Sequence, residues 1–581
     1  MFKIFIKTCL FILLFLVQAC VSPLATESGA ESQKTTIDKK ETNSHTENSS
    51  HDKTIHLPDN TPSIVELSLK DRAEELEALS PSGDSDTLDV VLGVDLEHKP
   101  AASEELSIEN AVVLAIENNL DIQLSALQPQ IAAQSVIAAE AAFDFVLGAG
   151  ASKKRSRIHQ QQAVASGNRP VSSAERASDI FSSNASLTKK LNSGGTFTLS
   201  TDVTKTDTES IDFDYSPDPA WQTIGTVDLT QPLLRNFGEK VTLSQIHLSQ
   251  IDKNKTTEDL RKTLNEVITT TEQNYLDLCL QWRKLQINQW LLEQGEAVVR
   301  TLELRMAYDT SMADYAQAVA TVQQRRADVI SQQSAVHDAS DSVKKLINTS
   351  EYPLDSETII KPTTIIQANT VSISLRQALV TAIENRPDLR ALALDIQTSE
   401  INIVVAKNAQ LPQLDMQAQM SFYGLGDTTG RGYEEVFDGD YVNYLAGLSL
   451  SIPLGNRSAK ANSKITRLQQ MSAIASYKKG IQQATIDIKQ SLRNIVTNAS
   501  LMRANKDYRI AQTENLRALL VEEETMAGLT PTFLNLKLQT QSGLASARTA
   551  EITAVINYNK SIAQLYKAMG TTTQKHQVGV D

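Results

Sequence analysis

The chain is poor in several things at once. Only 5% of its 581 residues are aromatic, cysteine occurs three times, and no apolar run reaches the roughly 20 residues that a helix needs to cross a bilayer. Three cysteines leave no room for a disulfide scaffold. Positive charge is in deficit as well: 55 Lys and Arg stand against 69 Asp and Glu, a formal charge of −14. The basic footprint that phosphate recognition requires is therefore missing, and a nucleic-acid partner is excluded. His159, His247 and His337 stand alone, with no phosphate loop and no zinc spacing around them. Neither an enzyme nor a resident cofactor or metal is expected.

What is present begins at the amino terminus. "MFKIFIKTCLFILLFLVQAC" places Lys3 and Lys7 before a short apolar run and ends on Gln18, Ala19 and Cys20, the layout of an export signal over residues 1–19. "VQAC" resembles the bacterial lipobox, which would make Cys20 the acylated first residue of the mature chain; the other reading is an ordinary signal peptide with a cysteine near its cut. Val21 after Cys20 fits outer-membrane sorting. Residues 20–105 are rich in Ser, Thr, Glu, Asp, Lys and His without an apolar period, and they read as a disordered, lipid-anchored tether. The scattered His45, His51 and His56 read as solvated tail residues. Cys279 remains, and a single cysteine on a helix face is core filler.

From Leu106 the chain repeats itself. "LSIENAVVLAIENNLDIQ" aligns with "ISLRQALVTAIENRPDLR": Ala115, Ile116, Glu117, Asn118 and Asp121 match Ala382, Ile383, Glu384, Asn385 and Asp388. Farther along, Pro232 matches Pro453, and Met306 with Ala307 matches Met526 with Ala527. Two repeats result, 106–349 and 374–570, joined by a linker at 350–373 and followed by a tail, 571–581. Each runs short helix, helix, strands, a proline, a very long helix, a turn and a returning helix. About 75 residues without further proline separate Pro232 from Met306, and likewise Pro453 from Met526; as helix they reach about 110 Å. Pro232 and Pro453 are expected at the first helical position, where a missing donor costs nothing. In the first return, Tyr315, Val322, Val329, Val336 and Val343 recur every seven residues, the signature of left-handed coiling against a neighbour.

Between the helices the period changes to two. In "QLDMQAQMSFYG", Leu414, Met416, Ala418, Met420 and Phe422 share one side, and Gln413, Asp415, Gln417, Gln419 and Ser421 the other. "YVNYLAGLSLSIPL" behaves alike, and the first repeat offers "FDFVLGAGAS" and "TIGTVDLTQPLL" at the matching places. After an export signal, about ten residues with one lipid-grade face describe an outer-membrane strand. Four strands cannot close a barrel, and an open edge in hydrocarbon is costly. Other copies of the chain are therefore expected to complete a ring with a wet lumen.

The duplicated "AxENxxD" helix start, the proline strand exits and the "MAGLT" turn together resemble the outer membrane efflux protein family typified by TolC, over residues 106 to about 570. The resemblance implies a mainly α fold of duplicated long hairpins forming an α-barrel, with four or more strands per protomer in a trimeric twelve-stranded β-barrel. It implies a homotrimer in the outer membrane that extends into the periplasm. A periplasmic adaptor and an inner-membrane pump of the resistance-nodulation-division, ABC or major facilitator type would complete a tripartite efflux or type I secretion system. The adaptor-docking tips then fall on Ala307, Tyr308, Asp309 and Thr310, and on Ala527, Gly528, Leu529 and Thr530. Tyr308 stands where the family has glycine. The periplasmic aperture falls on Asp314 in the first repeat and on Leu534 and Lys537 in the second. Residues 152–217 exceed the pattern and read as an added hairpin and external loop, in which Lys153, Lys154, Arg155 and Arg157 could meet lipid phosphates. The competing reading is a periplasmic coiled-coil lipoprotein with no conducting pore.

Overall fold

The structure, a computed structural model, describes residues 55–58, 62–80, 90–94, 99–161, 173–210, 216–307, 310–368, 370–525 and 530–578. All lie in one compact unit, Asp52–Asp581. Cys20, the signal segment and His45 and His51 fall outside the described residues, as do Tyr308, Asp309, Ala527, Gly528 and Leu529.

Both repeats open on a pair of short helices, Ile108–Asn118 and Leu120–Glu140 in the first, Leu375–Asn385 and Pro387–Asn408 in the second. Ser107 and Ser374 cap them, each accepting a backbone N–H three residues on. The long arms are Ser244–Arg305, 62 residues, and Arg457–Thr525, 69 residues, so they reach about 93 and 104 Å at 1.5 Å per residue. They return through Met312–Ile347 and Pro531–Met569. Val322, Val329, Val336 and Val343 are all buried, as the seven-residue spacing requires.

The strands form one antiparallel sheet of six, in the order β10-β9-β6-β5-β4-β3. The first repeat supplies β3 (Phe145–Gln161), β4 (Ser173–Lys190), β5 (Thr196–Ser210) and β6 (Ala220–Pro232); the second supplies β9 (Gln413–Gly426) and β10 (Val442–Ser451). The expected added hairpin is thus β4 and β5, inserted between β3 and β6 within the same sheet. Where a twelve-stranded trimer would need four strands from each protomer, this one holds six.

The prolines sit differently from the expectation. Pro232 ends β6, opposite Asp415, and the chain then turns before helix begins at Glu239. Pro453 lies between β10 and the second arm, which starts at Arg457. In both connections an asparagine and a glycine adopt positive φ: Asn236 (65°) with Gly238 (98°), and Gly455 (85°) with Asn456 (46°). These left-handed residues turn the chain from strand to helix, so each proline precedes the turn and is not the first helical residue.

The tether expected over 20–105 is folded in part. Ser63 caps the helix Ile64–Ser68 in a capping box with Glu66, and Ala73–Leu79 follows. Both lie on the second arm, where Glu66 pairs with Lys506 at 2.5 Å and Glu77 with Arg509 at 2.9 Å. Polar composition suggested disorder, but here it is complementary to a basic stretch of the arm. β1 (Ile55–Leu57) pairs antiparallel with β8 (Val371–Ile373), and β2 (Ser103–Leu106) parallel with β7 (Ile359–Pro362). The linker is thereby stitched to the segment that precedes the first repeat.

The main core lies where the first arm, its return and the linker meet, around Tyr275, Leu278, Cys279, Trp282, Val336, Ile347 and Ile360. Trp282 donates its indole N–H to the Ile360 carbonyl at 3.1 Å, and Tyr275 donates to Leu106 O at 2.7 Å. Burial pushes the Tyr275 hydroxyl up to about 12 and the Cys279 thiol higher still above its ordinary value. Cys279 is packing.

Candidate channel wall and helical tips

Residues opposite each other in an antiparallel ladder share a face, so the register sorts the whole sheet. On one side stand Phe145 and Leu147 of β3, Leu187 of β4, Phe197 and Leu199 of β5, Val227 and Leu229 of β6, Met416 and Met420 of β9, and Leu448 and Leu450 of β10. On the other stand Thr188, Ser186, Asn184, Ser182, Thr198, Ser200, Asp202, Thr204, Thr226, Asp228, Gln417, Gln419, Ser421, Asn443 and Ser449. Neighbouring strands join hydroxyl to hydroxyl across this polar face: Ser182 to Thr204 at 3.3 Å, Thr188 to Thr198 at 3.4 Å, Thr226 to Ser421 at 3.3 Å. The apolar face is open; Leu147, Leu448 and Leu450 are 77%, 70% and 61% exposed.

The β4–β5 turn, at the helical end of the sheet, is five residues long, 191–195. The connections at the opposite end are longer. One of them carries a short helix, Thr429–Asp438, that lies on the apolar face at its outer rim. Gly424 lets the backbone of Gly432 approach: a Cβ there would stand 1.9 Å from the Gly432 carbonyl oxygen. Tyr433 of this rim helix hydrogen-bonds Thr201 at 3.1 Å. The basic residues expected in the added hairpin lie instead on the outer half of β3, where Arg155 pairs with Asp179 of β4 at 3.3 Å and Lys153, Lys154 and Arg157 are exposed.

At the other end of the arms, both return helices begin on a hydroxyl cap. Ser311 accepts the N–H of Asp314 at 3.2 Å and donates to its carboxylate at 2.6 Å; Thr530 accepts the N–H of Phe533 at 3.2 Å. Met306 and Ala307 are exposed, Asp314 is half-buried, and the Thr310 N–H donates to Arg305 O at 3.4 Å. Leu534 is 1% exposed, packed with Val298, Leu302, Ala318 and Leu538. It therefore faces the protomer's own core and has no surface to line an aperture. Lys537 is held by Glu523 at 2.6 Å.

One residue that sequence reading passed over is Arg325, inside the valine stripe. It is 4% exposed and meets no carboxylate among its described contacts. Its guanidinium donates to Leu291 O of the first arm at 2.7 Å and, from its other nitrogen, to Leu538 O and Ser542 Oγ of the second return at 2.9 and 3.0 Å. Burial lowers its pKa to about 10. Gly295 leaves the room it needs, since a Cβ there would lie 2.8 Å from Nη1. A three-helix clamp of this kind is invisible to periodicity, because one of its partners lies more than 200 residues away.

Residues 378–571, nearly the whole second repeat, match the family model described as outer membrane efflux protein. The matched stretch is about a third of the chain, and over it the chain is similar to that family. The fold is that of solved outer membrane channels and an outer membrane protein. The Campylobacter jejuni CmeC outer membrane channel is 15% identical, with a TM-score of 0.58 over 85% of this chain and 95% of that one. The Neisseria gonorrhoeae MtrE outer membrane channel is 17% identical, with a TM-score of 0.53 over 80% and 89%. The Vibrio cholerae outer membrane protein VceC is 13% identical, with a TM-score of 0.55 over 80% and 96%. No curated protein matches the chain. At these identities the likeness speaks for the fold, and the six-stranded sheet continuing into two long arms is this chain's version of it.

Proposed function

We propose that the protein is the outer-membrane exit duct of a tripartite efflux or type I secretion system. The observation that carries this is a single sheet, apolar on one face and lined with hydroxyls and amides on the other, that continues into helices about 93 and 104 Å long. A sheet with those faces suits lipid outside and water inside, and the arms are long enough to carry the duct through the periplasm.

Three copies form the channel. Adaptor docks at the tips, through Ala307, Thr310 and Thr530 together with Tyr308, Asp309, Ala527, Gly528 and Leu529, and an inner-membrane pump loads it. Asp314 and Lys537 are the remaining aperture candidates. Cys20 carries the lipid, and replacing it by alanine abolishes labelling with a radioactive fatty acid. Gly528→Trp leaves assembly intact and reduces export, because the bulk falls at the adaptor's contact and not at the barrel.

Detergent-extracted full-length protein added to planar bilayers tests the reading. A duct conducts in discrete steps; a coiled-coil spacer leaves the membrane silent, and silence would overturn the proposal.

A further inference from the structure

We infer that the inserted β4–β5 hairpin is part of the barrel wall, so that three copies close an eighteen-stranded barrel whose outer vestibule admits cargo far larger than a twelve-stranded one would. The inference rests on the trimeric duct proposed above and goes beyond it.

All six strands belong to one continuous ladder, and the hairpin sits inside it, between β3 and β6, not appended at an edge. Toward the helical end its residues keep the division of faces: Leu187 lies opposite Leu147 and Leu199, while Ser182, Asn184 and Ser186 continue the polar face into Thr204, Asp202 and Ser200. Among the described residues, charges reach the apolar side only in the outer part, at Asp179, Lys205 and Asp207, apart from Lys189 at the helical end. A hairpin folded away from the wall would have no reason to preserve both. Six strands fall short of the eight found in the smallest single-chain outer-membrane barrels, so one protomer cannot close alone. The free edges are β3 and β10. β3 leaves the helical end of the sheet and β10 returns to it, so the β3 edge of one copy meets the β10 edge of the next antiparallel. Charge agrees with that pairing. The outer half of β3 exposes Lys153, Lys154 and Arg157, and the outer approach to β10 exposes Asp438 and Asp440. The occupant of each edge is a second copy of this chain.

Strands about 4.8 Å apart and tilted about 40° give a backbone diameter of about 36 Å for eighteen strands, against about 24 Å for twelve. Taking half the usual sheet-packing distance from each wall leaves openings of about 26 and 14 Å. The wider one, walled by Ser, Thr, Asn, Gln and Asp side chains, suits a polypeptide domain as well as a drug.

Full-length channel in planar bilayers, with polyethylene glycols of graded size added on the outer side only, reads the vestibule directly. Polymers of about 20 Å hydrodynamic diameter are expected to enter and lower the conductance; their exclusion while the channel still conducts would overturn the eighteen-stranded wall and leave the duct standing. No conductance at all would overturn both. Excising residues 162–210, which joins β3 to β6 through the outer loop, is expected to move the size cutoff from about 26 to about 14 Å. Should that variant fail to assemble, strand counting by electron microscopy of the wild-type particle decides: eighteen supports the inference, and twelve, whether from a dimer or from an excluded hairpin, ends it.

Discussion

The two arms solve the same problem with different residues. Counted back from the matched turn methionines, Tyr275, Cys279 and Trp282 of the first arm correspond to Ile495, Ala499 and Met502 of the second. The first arm uses Tyr275 and Trp282 to hold the β2–β7 clasp, through Leu106 O and Ile360 O. The second arm presents only aliphatic surface there, and the polar contact passes to its return helix, where Tyr558 donates to Leu57 O at 3.2 Å. Each repeat thus fixes one two-stranded clasp, β2–β7 or β1–β8, but the anchoring side chain has moved from one helix to another. Helix lengths are tightly matched because the arms and returns lie side by side; the clasp residues are free to change because any donor that reaches a strand carbonyl serves.

The comparison breaks most visibly at Trp282. It is 1% exposed and buries its ring at the centre of the main core, so Trp282→Ala is expected to cost about 3–5 kcal/mol through the cavity and the orphaned carbonyl. Met502→Ala, at the corresponding but only partly buried position, is expected to cost under about 2 kcal/mol. Denaturant unfolding of the two purified variants measures both; equal losses would mean that the clasps do not differ in weight.

A second contrast lies between the faces of one strand. Leu448 and Ser449 are adjacent, one on the apolar side opposite Met416 and one on the polar side opposite Asp415. Leu448→Arg near mid-membrane is expected to cost about 2–4 kcal/mol of insertion, while Ser449→Arg faces water and costs far less. The fraction of each variant recovered folded in the outer membrane compares them, and a normal yield of the Leu448 variant would sink the lipid-facing assignment.

Sequence alone was legible wherever one rule dominated. Period-two alternation located β9 and β10 to within a few residues and sorted their faces as the ladder does, because Leu414 to Phe422 never break step. The added hairpin could be read as an insertion but not as wall: Ser183 and Thr201 sit on its apolar side and interrupt the alternation. The helices at 64–79 were hidden because their acidic residues pair with Arg and Lys more than 400 positions away, although the Ser63–Glu66 capping box was there to be seen. At the tips, heptad spacing recovered the buried valines, yet Leu534 turned inward because its neighbours, Val298 and Ala318, come from the other repeat.

The carboxyl terminus sharpens the comparison between the repeats from the polar side. Glu272 of the first arm, only 5% exposed at its side chain, binds Lys575 and His576, the latter at 2.9 Å. Burial alone would raise its pKa, but the hydrogen bonds from His576 and Lys575 and their charge outweigh it, and the carboxyl lies below its ordinary 4.5. A carboxylate depressed on folding contributes its full stabilisation above the unfolded value and loses it as the pH falls through the folded one. The window for Glu272 is therefore acidic, below about 4.5. Glu272→Gln is expected to cost about 1.5–3 kcal/mol at neutral pH and to flatten the acid limb of the stability curve. An unchanged acid limb would show that the contact contributes nothing.

The smallest expected effect separates the two tips. Ser311→Ala and Thr530→Ala each remove one hydrogen bond to the first turn of a return helix, at about 1 kcal/mol apiece. Ser311 also holds the Asp314 carboxylate, whereas Thr530 holds only the backbone of Phe533. Alanine at 311 therefore releases a side chain as well as a turn, and Asp314 gains freedom next to the proposed adaptor contact. Amide exchange in the first turn of each return helix is expected to quicken by a comparable factor in the two variants, while export falls in the Ser311 variant alone. Equal export in both would separate Asp314 from any role at the aperture and leave the two caps as interchangeable helix starts.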